Sequence, residues 1–72
     1  MQEFVVRGEY ITLGQLVKAV NEVGSGGEVK DYLANNSPLV NGEPENRRGR
    51  KLRAGDVIAF KGAGEIHCIA EG

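Results

Sequence analysis

Two helix-start signals lie only thirteen residues apart in this sequence, and they constrain its fold more than any other feature. Thr12 and Gln15 have the spacing of a capping box, in which two side chains satisfy the first backbone N–H groups of a helix. Ser25 and Glu28 repeat that spacing. The sequence therefore predicts two short helices in direct succession. Because neither would be stable alone, each must pack against the other or against a sheet.

Apolar residues follow each start signal at helical spacing. In the first helix, which we expect to end near Glu22, they are Leu13, Leu16, Val17 and Val20. Gly14 lowers the intrinsic helix propensity of this segment, so tertiary packing must hold it. In the second helix the apolar face consists of Val29, Tyr32 and Leu33. The pair Asn35-Asn36 can adopt a left-handed conformation and is expected to end that helix.

The second half of the chain has the pattern of strands. The pair Asn41-Gly42 is a strong signal for a two-residue hairpin, because both residues tolerate positive φ. Pro44 cannot donate to a ladder, so the return strand is short or lies at an edge. Further strands are predicted at about 4–6, 57–60 and 66–70. The predicted class is α+β, with two consecutive short helices packed on a small, mostly antiparallel sheet.

Length and composition indicate one small folded domain over residues 1–72. Hydrophobic residues make up 40% of the chain and charged residues 26%, which is ordinary for a folded protein and argues against disorder. A chain this short has no room for a deep cleft between domains. We expect no membrane span, because no apolar run approaches roughly 18 residues, and no signal peptide, because the start Met1-Gln2-Glu3 does not have the pattern of one. The single cysteine, Cys68, excludes an internal disulfide framework and favours a cytoplasmic setting.

The basic charge is concentrated in one short part of the chain. Residues 47–61 hold six basic residues and one acidic residue, a net charge of +5, whereas the remaining residues carry −6. Arginine predominates here, and guanidinium groups favour forked contacts with phosphate. One interpretation is a solvated loop whose arginines pair with nearby acids such as Glu43 or Glu45. The other is a surface that attracts the phosphates of a nucleic acid.

No set of residues has the pattern of a catalytic, metal or cofactor site. His67 and Cys68 are adjacent on a predicted strand, so their side chains point to opposite faces, with Cys68 in the core and His67 exposed. The glycine-rich stretches at 24–27 and 62–64 lack the partner residues of phosphate-binding and dinucleotide-binding loops. We expect a protein that is not an enzyme and that uses no cofactor, metal or small-molecule substrate.

The order of these signals resembles the S-four-type RNA-binding domain, which is named after ribosomal small-subunit protein S-four. The match runs without gaps over 25–58: a serine-started helix, a valine-asparagine-glycine hairpin and a glycine-aspartate-valine-isoleucine close. A core motif of about 12–60, known as the alpha-L motif, would be flanked by a strand at each end. The length and the residues at 47–52 resemble the short stand-alone bacterial members, the YaaA/YbcJ kind.

The resemblance implies non-catalytic binding of structured RNA, above all ribosomal RNA or a ribosomal particle, by a monomeric protein. It implies one positive surface made from the first helix, the start of the second helix and the following loop. The residues that would bind RNA are Lys18, Ser25, Gly26, Lys30, Arg47, Arg48, Arg50, Lys51 and Arg53. Thr12 and Gly26 stand where many members have arginine, which shifts the attraction to the basic segment, residues 47–53.

The few aromatic residues, Phe4, Tyr10, Tyr32 and Phe60, are expected mostly on apolar faces. This argues against a base-stacking platform and favours recognition of RNA shape. Two other hypotheses stay open at this point. A ubiquitin-like sulfur carrier has a similar size and hairpin, although two back-to-back helices fit that fold poorly and the Glu71-Gly72 end lacks a Gly-Gly tail. A protein-interaction module would instead place the basic segment against an acidic partner.

Overall fold

The computed structural model describes residues 2–21, 24–61 and 64–71, in which two helices follow one another as the capping boxes predict. Helix α1 spans Leu13–Asn21 and helix α2 spans Gly26–Asn36. The strands in chain order are β1 (Gln2–Val6), β2 (Ile11–Thr12), β3 (Leu39–Val40), β4 (Glu43–Pro44), β5 (Lys51–Leu52), β6 (Val57–Phe60) and β7 (Gly64–Ala70).

Both helices begin at the predicted capping residues. At α1, the backbone N–H of Gln15 donates to Thr12 Oγ1 at 3.2 Å, and the N–H of Thr12 donates to Gln15 Oε1 at 2.8 Å. At α2, the N–H of Glu28 donates to Ser25 Oγ at 3.2 Å, while the Glu28 carboxylate accepts from the N–H of Gly24 at 3.2 Å. The first helix thus has a reciprocal capping box. The second helix has a variant of it, in which the glutamate side chain bonds to the N–H of Gly24, one residue before the capping serine.

Helix α2 ends at Asn36, where the sequence predicts its end, but the prediction of a left-handed asparagine is wrong. The capping residue is Ser37, which has a positive φ of 21° and whose N–H donates to the carbonyl of Leu33 at 3.0 Å. The two asparagines are helical, and each side-chain amide donates to the carbonyl one turn earlier at 2.9 Å. The predicted end of α1 near Glu22 lies outside the described residues.

The main sheet has five strands in the order β1-β7-β6-β3-β4. Its neighbours pair antiparallel except β1, which runs parallel to β7, so the sheet is mixed but mostly antiparallel. Asn41 and Gly42 have φ values of 51° and 88°, which confirms the predicted hairpin between β3 and β4. Pro44 lies on β4 at the edge of the sheet, where its missing N–H removes no inner ladder bond.

A separate two-stranded ladder pairs β2 with β5, and the sequence did not predict it. Ile11 lies opposite Leu52, and Thr12 lies opposite Lys51. Each strand has only two residues, too few for an alternating pattern to be visible in the sequence. The ladder ties the chain just before α1 to the basic segment, which brings these two distant parts of the sequence side by side.

One apolar cluster joins the helices to the sheet. Its fully buried members are Leu13, Leu16, Val17, Leu33, Leu52 and Ile58. Cys68 is 2% exposed in this cluster, as predicted, and burial raises the pKa of its thiol. His67 lies on the other face of β7, where it is half-buried rather than exposed as predicted. Within the described ranges, no helix is long and apolar enough to cross a membrane.

Candidate nucleic-acid interface

Backbone hydrogen bonds fix the basic segment to the start of helix α1. The N–H of Leu13 donates to the carbonyl of Arg50, and the N–H of Gly14 donates to the carbonyl of Arg48, both at 2.8 Å. These are two of the N–H groups that the first turn of a helix leaves without an intrahelical partner. The basic segment therefore acts as a backbone cap of α1, and this contact sets where its side chains lie.

The close approach of the two backbones depends on a glycine. A Cβ atom on Gly14 would lie 3.1 Å from the carbonyl oxygen of Arg48 and 3.2 Å from the Cβ of the same residue. That carbonyl already accepts the Gly14 N–H, so it cannot retreat without lengthening the hydrogen bond. Gly14 thus positions the interface. The sequence had indicated only that it weakens the helix.

Two adjoining open concavities gather most of the predicted cations. One, of about 340 Å³, brings Lys18 of α1 together with Arg48 and with Val29 of α2. The other, of about 740 Å³, runs along the basic segment, and Gly49 lines both. We call their cations the cationic surface, which comprises six of the nine predicted site residues: Lys18, Arg47, Arg48, Arg50, Lys51 and Arg53.

The remaining predicted residues, Ser25, Gly26 and Lys30, belong to the start of α2. Ser25 and Lys30 are exposed, and neither lines the two concavities. The Oγ of Ser25 is engaged in the helix cap, and the Glu28 carboxylate lies against the N–H of Gly24. A carboxylate at this position repels phosphate, so the start of α2 is less suited to an anion than the resemblance implied. Contacts between these three residues and RNA stay a prediction.

Glu45, a buried carboxylate, organises two of the arginines. Its side chain is 9% exposed and accepts from Arg47 Nε at 3.0 Å, Arg47 Nη2 at 2.9 Å and Arg50 Nη1 at 3.1 Å. The backbone N–H of Arg47 donates to the same carboxylate at 3.1 Å. The hydrogen bonds from the Arg47 side chain lower the pKa of Glu45 to about 2. The interpretation that arginines pair with a nearby acid is therefore confirmed for Arg47, and it extends to Arg50.

This pairing reduces the positive charge of the cationic surface without removing it. The Arg47 side chain is 73% exposed although it is bound to Glu45, so one edge of its guanidinium still faces solvent. Lys51 and Arg53 are exposed as well. Glu45 is anchored by its own backbone, whose N–H donates to the carbonyl of Pro38 at 2.9 Å. It therefore braces the basic segment against the sheet, in addition to neutralising part of its charge.

Tyr10 lies beside the cationic surface, in contact with two of its basic side chains, and the sequence did not indicate it. The residue is 40% exposed, Lys51 Nζ lies 5.1 Å from the centroid of its ring, and Arg53 Cζ lies 5.9 Å from it. The expectation that most aromatics lie on apolar faces holds for Phe60, whose ring is 6.2 Å from that of Tyr32, and Tyr10 is an exception to it. The β2–β5 ladder is what brings Tyr10 beside the basic segment.

Among the described residues, no group of three or more His, Cys, Asp or Glu side chains could hold a metal ion. Comparison with known proteins gave one family model, described as S4 domain, which matches residues 4–68. It also gave a relative from Bacillus subtilis (strain 168), described as "Probable ribosome maturation protein RlbA". That protein is 48% identical over 61 residues, which cover 85% of this chain and 86% of the relative. No solved structure matches the chain.

Proposed function

Because this chain belongs to the S4 domain family, we propose that it binds structured RNA, without catalysing a reaction, during maturation of the ribosome. The family resemblance implies RNA binding, and a protein 48% identical to the chain is described as a ribosome maturation protein. Ribosomal RNA is the proposed ligand. The observation that carries the proposal is the cationic surface, which gathers six basic side chains on a chain whose net charge is −1.

The proposed mechanism is neutralisation of RNA phosphates by side chains that are already in place. Since the backbone of the basic segment is docked on α1 and braced by Glu45, little of its freedom would be lost on binding. Arg47 and Arg50 share their charge with Glu45, so each contributes less to the attraction than the exposed Lys18, Lys51 and Arg53. Four phosphate contacts across the cationic surface correspond to a slope of about −3 in a plot of log affinity against log salt.

We also propose that residues 1–72 act as one monomeric domain in the cytoplasm, the setting that ribosome maturation implies. Ser25, Gly26 and Lys30 would extend the RNA footprint at its margin, where Glu28 limits their contribution. Membership of the S4 domain family gives no support to the sulfur-carrier hypothesis. A protein-interaction module remains an outcome of the test, since its complexes would survive ribonuclease treatment.

The test is a salt titration of binding to deproteinised bacterial ribosomal RNA, with two charge-reversed proteins. Lys18→Glu/Lys51→Glu reverses one exposed lysine in each concavity, and the affinity should fall about 30- to 100-fold. Lys61→Glu reverses one exposed lysine beside Leu39 and Phe60, away from the cationic surface, and this control should lose less than about threefold in affinity. A slope near zero, or equal losses for both proteins, would overturn the proposal.

Reversal of Arg47 is a poor test, because it would place a second carboxylate against Glu45. The resulting repulsion would disturb the fold as well as RNA binding, and the two effects could not be separated. The exposed lysines avoid this problem, so the melting temperature of each variant should stay within about 2 °C of the wild-type value.

A further inference from the structure

We infer that Tyr10, Lys51 and Arg53 form a binding site for one unpaired nucleobase, an inference that rests on the proposed RNA-binding function. At this site the protein would contact the face of a base, in addition to the phosphates that the cationic surface contacts. The sequence had argued against base stacking because the aromatics are few and most of them were expected on apolar faces. Tyr10 is the exception, since it is 40% exposed beside Lys51 and Arg53, which line the larger concavity.

The β2–β5 ladder explains why these three side chains meet. Ile11 lies opposite Leu52, and Leu52 is fully buried, so this pair faces the core. Side chains alternate between the two faces of a strand, and the neighbours of this pair therefore turn outward. Tyr10 precedes Ile11, while Lys51 and Arg53 flank Leu52. The short ladder thus sets an aromatic ring beside two cations on the solvent side.

The chemistry of the three groups matches one nucleotide. The planar guanidinium of Arg53 lies over the Tyr10 ring, with Cζ 5.9 Å from the ring centroid, so a base would stack on the guanidinium or on the part of the ring that stays exposed. The Lys51 ammonium is 5.1 Å from the same centroid, close enough to reach the phosphate of a stacked nucleotide. Phe60, by contrast, is 4% exposed and belongs to the core, so its ring offers no face to a ligand.

The cluster is also held in place by its surroundings. The backbone N–H of Arg53 donates to Asp56 Oδ2 at 2.7 Å, just after the ladder ends. On the other side, α1 begins directly after β2, where the Leu13 N–H donates to the Arg50 carbonyl at 2.8 Å. The ring therefore projects from two fixed backbones. Because bases in a paired helix have no free face, the ligand is an unpaired base in a bulge, a loop or a strand end.

The experiment uses three RNA hairpins with the same stem: fully paired, with a single bulged 2-aminopurine, and with an abasic bulge. The wild-type protein should bind the bulged base about 5- to 150-fold more tightly than the abasic bulge, as one stacked base is expected to give. The fluorescence of 2-aminopurine should fall on binding because stacking on tyrosine quenches it. Tyr10→Leu should lose the preference and keep its affinity for the abasic hairpin, whereas Tyr10→Phe should keep both.

Equal wild-type affinity for the bulged and abasic hairpins would overturn this inference, and so would a preference that survives in Tyr10→Leu. Both results leave the proposed function intact if the salt dependence of binding persists. If the wild-type protein binds none of the hairpins at low salt, the RNA-binding proposal fails and the base site fails with it. The fluorescence change of the wild-type complex needs no substitution, so it decides the matter even if Tyr10→Leu folds poorly.

Discussion

The two helix starts have similar sequence signals but opposite electrostatic surroundings. At α1 the first N–H groups donate to Thr12 and to the carbonyls of Arg48 and Arg50, so a basic segment covers the helix end. At α2 they are capped by Ser25 and accompanied by the carboxylate of Glu28. One start is therefore surrounded by cations and the other by an acid, although the capping residues are spaced identically.

This comparison teaches that a helix start does not attract an anion merely because it is a helix start. Protein acceptors already occupy the described first-turn N–H groups at Leu13, Gly14, Gln15 and Glu28. At α1 the attraction for phosphate then comes from side chains, which are gathered there because the basic segment docks on this helix. Matched substitutions at the two helices test this difference.

The largest effect is expected from alanine at the second residue of each helix. Gly14→Ala should lower the free energy of unfolding by about 1–2 kcal/mol, because its Cβ would meet the Arg48 carbonyl at 3.1 Å. Gly27→Ala, with nothing within 4 Å of its Cβ, should raise that free energy by about 0.5–1 kcal/mol through helix propensity. Urea unfolding measures both. Stabilisation by Gly14→Ala would show that the docking tolerates a side chain.

Charge reversal of one lysine on each helix should separate their roles in binding RNA. Lys18→Glu, which shares a concavity with Arg48, should weaken binding to ribosomal RNA about tenfold. Lys30→Glu on α2 should weaken it only about two- to threefold, since this lysine lies outside the cationic surface. Competition binding at fixed salt compares them. A larger loss of affinity for Lys30→Glu than for Lys18→Glu would show that the RNA contacts α2 rather than the cationic surface.

Removing the acid that braces the basic segment should change stability and binding in opposite directions. Glu45→Gln should lower the melting temperature by about 5 °C, because two guanidinium groups lose their buried anion. The same change should make the salt slope steeper, since Arg47 and Arg50 regain their full charge. Glu28→Gln at α2 is the control, and its melting temperature should change by less than about 2 °C.

The acid dependence of stability gives the smallest effect. The pKa of Glu45 is about 2 in the folded protein, below its ordinary value of 4.5, so the ionised carboxylate stabilises the folded state. That contribution is complete above about pH 4.5 and is lost as the pH falls toward 2. Between those values the wild-type melting temperature should therefore fall further than that of Glu45→Gln. Parallel curves for the two proteins would exclude this role of the carboxylate.

Much of the fold was predictable because its signals are local. The capping boxes, the helical spacing after Thr12 and Ser25, and the Asn41-Gly42 turn each depend on residues within about one turn of one another. The structure confirms both helices and the hairpin. The cap of α2 differed, since Ser37 and not an asparagine has the positive φ, and sequence spacing does not reveal which of three neighbouring residues takes it.

The candidate site was only partly predictable, because the sequence offered Glu43 or Glu45 as partners of the arginines but did not show which of the two carboxylates is buried among them. The cluster of arginines was visible in the sequence. The burial of Glu45 beneath Arg47 was not, because it depends on how the chain packs just after the edge strand β4. Tyr10 gave no sequence signal at all, since the ladder that places it beside Lys51 has two residues in each strand.

The sequence by itself determined two consecutive helices, a hairpin and a concentration of basic charge, because each is encoded over a few neighbouring residues. Tertiary structure decided which helix start the basic segment covers, which arginines share a carboxylate and which aromatic ring reaches the surface. The first and the last of these features join residues from opposite halves of the chain, as the hydrogen bond from the Gly14 N–H to the Arg48 carbonyl does at 2.8 Å. They depend on packing around a common core, whose geometry no local pattern encodes.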